Sequence, residues 1–299
     1  MNKIISLAVL FTFILHAGIA DLPLDNAVVK DTAVASLADS TTTDKELSNL
    51  VGESAEGYAW KFPHIMDEYE KAMNDTGDNT EEMNIIALRG IVQSYMYIAE
   101  NLDKGTYTEQ IAAQKKAFET LPLPENNNYA VQQTALAQML YQWVMLCIKA
   151  TNTDNHLDEV LGEIENDYEN GIANTEKPEH LLVNALYRTV DALSVLVANT
   201  STNTSIVDAA EKLLQEHLAA DEQSQTVGDQ LNNASQKIFE YTCLLLLSMD
   251  SSFRSTIKEL QTIATEFETE KNSTTDKTVA HFQRAFGAAY FLLEAFAAE

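Results

Sequence analysis

The sequence predicts an all-α protein, and three observations carry that prediction. Apolar residues recur at three- and four-residue spacing, so that Ile91, Tyr95, Ile98 and Ala99 share one helical face. The same holds for Leu136, Leu140, Trp143, Val144 and Cys147, for Leu157, Val160, Leu161, Ile164 and Tyr168, and for Ile257, Leu260, Ile263, Ala264 and Phe267. Strand signals are missing after the N-terminal region, where no alternating run is bounded by Asn-Gly or Asp-Gly turns. The breaks between apolar runs suit helix ends: Gly77, Gly105, 122–128, 152–155, 171–178, 200–204, 224–228 and 272–276. Of the five prolines, Pro23 lies in the leader, Pro122, Pro124 and Pro178 at such breaks, and Pro63 at the start of the segment 63–73.

In chain order, residues 1–20 read as an export signal. A basic start at Lys3 precedes the apolar run IISLAVLFTFIL, and Gly18-Ile19-Ala20 supplies small residues for cleavage after Ala20. A twelve-residue apolar run is too short for a membrane anchor. No Cys follows the cut, which excludes a bacterial lipoprotein. No second run of about eighteen apolar residues is evident, so a secreted, extracellular protein without membrane insertion is expected. Residues 21–45 are rich in Ser, Thr, Asp and Ala and lack aromatics, the composition of a flexible leader. Residues 46–299 read as a single all-α domain. It opens with a short pair over 46–60, interrupted by glycines, and 63–73.

Five strongly apolar helices then overlay from Ala87, Ala135, Ala185, Ala234 and His281, at successive offsets of 48, 50, 49 and 47 residues. Each of the first four is followed by an amphipathic helix, over 108–121, 155–170, 206–220 and 255–271. Helical-hairpin repeats of about 47–50 residues follow, arranged as an α-solenoid-like array or a compact two-layer α-α domain. The first helix of each unit is apolar around much of its girth and belongs between neighbours; the second turns one face to solvent. The unit length resembles that of HEAT and armadillo arrays, a likeness that carries no function.

Charge excludes more than it identifies. The 299 residues hold 45 Asp and Glu against 19 Lys and Arg, a net charge of −26. Nucleic-acid binding needs clustered cations to release phosphate counterions, so it is excluded as a role. The chain contains no HExxH, GxGxxG, P-loop or CxxC motif. Gly52-Glu53-Ser54-Ala55-Glu56-Gly57 is one residue too long for a nucleophile elbow. Residues Asn152, Asp154, His156 and Glu163 echo a calcium loop, but Leu157 stands where the required Gly belongs. His64, His156, His180, His217 and His281 lack a Glu three residues earlier and read as surface or locally bonded side chains. No catalytic residue, metal site or cofactor is assigned, and the protein is expected to be non-enzymatic. A dispersed carboxylate site is the less favoured enzyme alternative.

Two constellations remain as partner-binding candidates. Nine acids and one Lys occupy 153–180, with Asp158, Glu159 and Glu163 on an amphipathic helix; they suit a solvated face or a docking surface for a basic protein. Among the scarce cations, Arg89, Arg188, Lys237 and Arg284 fall at matching places on the apolar helices. They make either a ladder of internal ion pairs or a groove for an anionic ligand. The inner aromatic and Met residues (Tyr95, Met96, Tyr97, Trp143, Met145, Phe282, Phe286, Tyr290, Phe291) raise an apolar small-molecule or lipid carrier as the alternative.

Sequons at Asn74, Asn199, Asn203, Asn233 and Asn272 permit glycosylation in a secretory pathway. Cys147 and Cys243 lie on first helices two units apart. In an open array that is roughly 20 Å, against the about 7 Å a disulfide allows between Cα atoms. Two buried free thiols are expected, with closure into a compact bundle as the alternative.

Overall fold

The computed structural model describes residues 61–76, 79–121, 128–152, 155–224, 226–249 and 274–298, which form nine α-helices and no strand. In chain order these are α1 (Pro63–Thr76), α2 (Thr80–Leu102), α3 (Thr108–Glu119), α4 (Tyr129–Thr151), α5 (Asp158–Ala173), α6 (Pro178–Thr200), α7 (Thr204–Gln223), α8 (Val227–Met249) and α9 (Thr274–Ala298). The export signal, the leader and the expected helices over 46–60 and 255–271 lie outside the described residues.

Helix starts follow from local chemistry. Asn79 caps α2 by accepting from the Glu82 amide at 3.3 Å, and Glu81 and Glu82 place negative charge in that first turn. Before α3, the Asp103 carboxylate accepts from the Thr106 and Tyr107 amides at 2.9 and 3.0 Å. The Tyr107 amide and its neighbours hold that carboxyl below its ordinary range. Gly105 makes the intervening turn at φ 102°, a conformation that costs other residues. Pro178 opens α6 from its first turn, where a missing N–H is harmless.

The five apolar helices pack as a closed circuit. α2 packs on α4, α4 on α6, α6 on α8 and α8 on α9, and α9 returns to α2. Helices α1 and α3 lie on α2, α5 lies on α6, and α7 bridges α6 and α8. Like ends of α2, α4 and α6 meet, so these three helices run parallel. Tyr129 at the start of α4 donates to Glu82 at the start of α2 (2.7 Å), and Thr134 donates to the Pro178 carbonyl at the start of α6 (2.8 Å). At the far ends, Asn199 of α6 donates to Thr151 of α4 at 3.0 Å.

The middle of the circuit is filled by side chains. Tyr95, Trp143, Leu193, Thr242 and Ala289, one from each inner helix, are wholly excluded from solvent. The Tyr95 hydroxyl crosses from α2 to Thr242 of α8 at 3.0 Å. On its α4 side the Tyr95 carbonyl accepts from the Cys147 thiol at 3.8 Å. Tyr95 therefore stands between the two cysteines, and both are buried free thiols although the helices close on themselves. Burial pushes both thiols upward, which keeps them protonated and unreactive.

Three local expectations are revised. α5 continues through Gly171 to Ala173, because that glycine lets the Asn184 side chain lie against the helix and donate to the Tyr168 carbonyl at 3.1 Å. His217 and His281 are buried at 2% exposure rather than lying at the surface, though His281 is locally bonded, its Nδ1 3.1 Å from Arg284. Among the described residues, α6 alone is long and apolar enough to cross a membrane by composition, with mean hydropathy 1.5. Two thirds of that stretch is buried in the protein, between α4 and α8.

Candidate functional site

The four cations singled out by sequence sit on separate inner helices, each engaged close to home. Arg188 of α6 pairs with Asp167 of α5 at 3.1 Å and with Asp191 on its own helix at 2.8 Å. Lys237 of α8 pairs with Glu216 of α7 at 3.1 Å and with Glu240 on its own helix at 2.7 Å. Both cations thus reach an acid 21 residues back, on the preceding outer helix, and one three residues ahead. Beside them, Asn184 and Asn233 each donate to a backbone carbonyl 16 residues back, at Tyr168 and His217.

The other two cations are held by aromatic faces. The Arg89 guanidinium lies 4.5 Å from the Phe118 ring centroid and 3.5 Å from the Leu121 carbonyl. Its pKa is lowered, chiefly by burial, with Glu68 opposing. Arg284 lies 5.7 Å from the Phe239 ring and 3.1 Å from His281 Nδ1, linking α9 to α8. Burial and then the Arg284 charge push His281 down to about 3, so the imidazole is neutral at pH 7.

Asp191 is the most perturbed carboxyl of this group. Burial raises it to about 6, Arg188 opposes the rise and Asp167 adds to it. Removing the cation with Arg188→Met is expected to cost about 1–2 kcal/mol at pH 7, because it strands a partly buried carboxylate. Asp191 then moves higher still. A raised carboxyl favours the folded state below its unfolded pKa and loses that advantage as pH rises through the folded value. The cost of the substitution should therefore be smaller at pH 5 than at pH 7. Urea titrations at the two pH values measure this; equal costs would exclude Asp191 as the origin.

On the outer surface, α5 carries six acids and no Lys, Arg or His. Two of them are spent on inner cations, Glu165 on Lys149 at 2.6 Å and Asp167 on Arg188. Asp158, Glu159, Glu163 and Glu169 are exposed and make no ion pair among the described residues. Asp158 and Glu159 lie in the first turn, where the helix dipole favours them. Asp158 also accepts from Asn152 at 3.2 Å. The buried face of α5 is small, with Leu161 and Ile164 as its buried side chains.

Sequon positions differ sharply in access. Asn74 and Asn203 are exposed, and Asn203 caps α7 by accepting from the Ser205 amide at 3.0 Å. Asn199 is half-buried, its amide nitrogen committed to Thr151. Asn233 is buried with its amide nitrogen on the His217 carbonyl, and a glycan there is incompatible with this packing. Asn272 lies outside the described residues. No group of three or more metal-ligating side chains occurs among the described residues.

Sequence reasoning missed His217, whose ring packs edge-on against Tyr187 with centroids 4.6 Å apart. It also missed Glu294, a carboxylate at 2% exposure whose buried setting no local pattern announces. The chain matches no protein-family model, no curated protein and no solved structure.

Proposed function

We propose that this is an exported, non-enzymatic helical binding module that presents the acidic outer face of α5 to a basic protein partner. The observation that carries the reading is the unneutralised set Asp158, Glu159, Glu163 and Glu169 on a helix with no cation of its own. A surface of one sign steers an oppositely charged partner and speeds encounter, an effect that fades as salt rises. The inner cations support the same assignment, since Arg188 and Lys237 are committed to internal pairs.

The matched bonds of Arg188 with Lys237, and of Asn184 with Asn233, recur 49 residues apart. That recurrence supports a repeat of about 47–50 residues, in a compact two-layer form rather than an open array. For the apolar carrier, the aromatic candidates Tyr95, Trp143, Phe286, Tyr290 and Phe291 are taken up in helix packing.

Once a basic partner is identified, the test is its association rate with the mature chain and with Asp158→Asn/Glu159→Gln/Glu163→Gln, at low and high salt. The wild type should bind about tenfold faster at low salt, and the triple variant should lose most of that gain. Association that ignores both salt and the triple variant would sink the proposal.

A further inference from the structure

Helix α7 is fastened to the inner helices in an unusual way. Its only buried side chains are Ala210 and His217, and Leu218 beside them is 49% exposed. Ile206, Val207, Leu213 and Leu214 are only half-buried, so apolar burial is incomplete and polar staples add to it. From α8, Tyr241 donates to the Ala210 carbonyl at 2.9 Å, Asn233 donates to the His217 carbonyl at 3.2 Å, and Lys237 reaches Glu216 at 3.1 Å. From α6, Tyr187 donates to Asp221 at 2.6 Å. His217 sits in the middle of this row.

Burial at His217 disfavours a charged ring, against the Asn233 side chain and Asp221, which favour it. Its Nδ1 is buried and has no hydrogen-bond partner. Tyr187 of α6 closes over one side of it. The groups with charge around it are Arg188 from α6, Lys237 from α8, and Asp221 on α7 itself, with Glu216 next to it in the chain. Within this mixed set of charges the imidazole has no acceptor at Nδ1. A second ring proton at Nδ1 would be a buried donor without a partner, which costs about 1–3 kcal/mol or more.

We infer that His217 is an acid-sensitive latch, whose protonation releases α7 from α6 and α8 while the inner helices stay packed. Burial lowers the pKa of His217, the Asn233 side chain and Asp221 raise it, and Lys237 and Arg188 lower it further, with burial the largest influence. The open state leaves the ring in water with an ordinary pKa near 6.5. A lowered folded-state value means that the closed state is favoured above about 6.5 and loses that advantage as pH falls below it. Local opening then exposes the α7-facing sides of α6 and α8, including the cation Lys237. This device is independent of the binding role of α5.

Amide hydrogen exchange of the full chain tests it, with protection factors corrected for the intrinsic pH dependence of exchange. Between pH 7.5 and pH 5.0, protection of α7 should fall at least tenfold more than that of α4 and α8. In His217→Gln the extra fall should disappear, because glutamine does not titrate. An equal fall in wild type and His217→Gln would overturn the latch, since the loss would then not depend on His217. If the variant does not fold, the NMR titration of His217 in the wild type decides instead. A midpoint well below 6.5 with α7 exchange rising in step supports the latch, and a midpoint at 6.5 or above overturns it.

Discussion

Replacing Glu294 with alanine is expected to lower the stability of the folded chain by about 3 kcal/mol, the scale for stripping a buried charged acceptor from its donors. Glu294 is buried near the end of α9, and its two oxygens are both occupied. Oε2 accepts from the Lys61 amide at 2.9 Å and Oε1 from the Phe62 amide at 2.8 Å. Those amides lie immediately before α1, whose first residue, Pro63, has no N–H to offer. The carboxylate therefore serves as a cap delivered from across the fold, at the positive end of the α1 dipole. Tyr290, one turn earlier on α9, also hydrogen-bonds Glu294, and burial together with that carboxylate raises its phenol.

Losing the cap should loosen α1 as a unit. Tyr69 of α1 packs on Phe286 of α9 with ring centroids 4.2 Å apart, so the cap and this contact hold the same pair of helices. Glu294→Gln should recover little. A glutamine offers one acceptor oxygen where two amides point, and its NH2 would face a second donor. Urea unfolding of the three proteins at pH 7.5 measures this. A Glu294→Gln variant as stable as wild type would show that paired acceptance is not what holds α1.

The helices and their order were legible in the sequence because helix formation is local. Spacing of apolar residues, Pro178 at a first turn and polar breaks act over a few residues, and they marked α2 to α8 to within a few residues at each end. The exposed acids of α5 were equally legible, since a face rich in Asp and Glu has nowhere to go but solvent. Partnerships across the fold were not. Nothing near Glu294 announces that its donors lie 232 and 233 residues earlier. The cation row was found by overlay, but Arg188 and Arg89 fall within one position of each other and end differently, one on Asp167 and the other over Phe118. His217 looked like an ordinary histidine on a mixed helix, and its burial depends on Tyr187 and Asn233 from two other helices. Closure of α9 onto α2 depends on side-chain volumes at a contact that no periodicity encodes.

That closure yields the second large effect. Gly90 of α2 faces Phe286 of α9, and a Cβ at residue 90 would lie 2.5 and 2.7 Å from two ring carbons. Gly90→Ala adds about 1 kcal/mol of helix propensity, which in an exposed helix would stabilise. Here the ring must move, and Phe286 is wholly buried with the rings of Tyr69 and Tyr290 tilted against it. Overpacking of this kind costs about 1–3 kcal/mol or more, and two close ring contacts place it at the upper end. A net loss of about 2 kcal/mol is expected, the propensity gain being outweighed. Truncating the ring separates strain from any general effect of the substitution. In a Phe286→Leu background, itself destabilised, the added methyl should cost at least about 1 kcal/mol less than in the wild type, a coupling normal for residues in contact. A double-mutant cycle by urea unfolding reads that difference directly. Additive losses would mean that Gly90 is not the point at which α9 closes against α2.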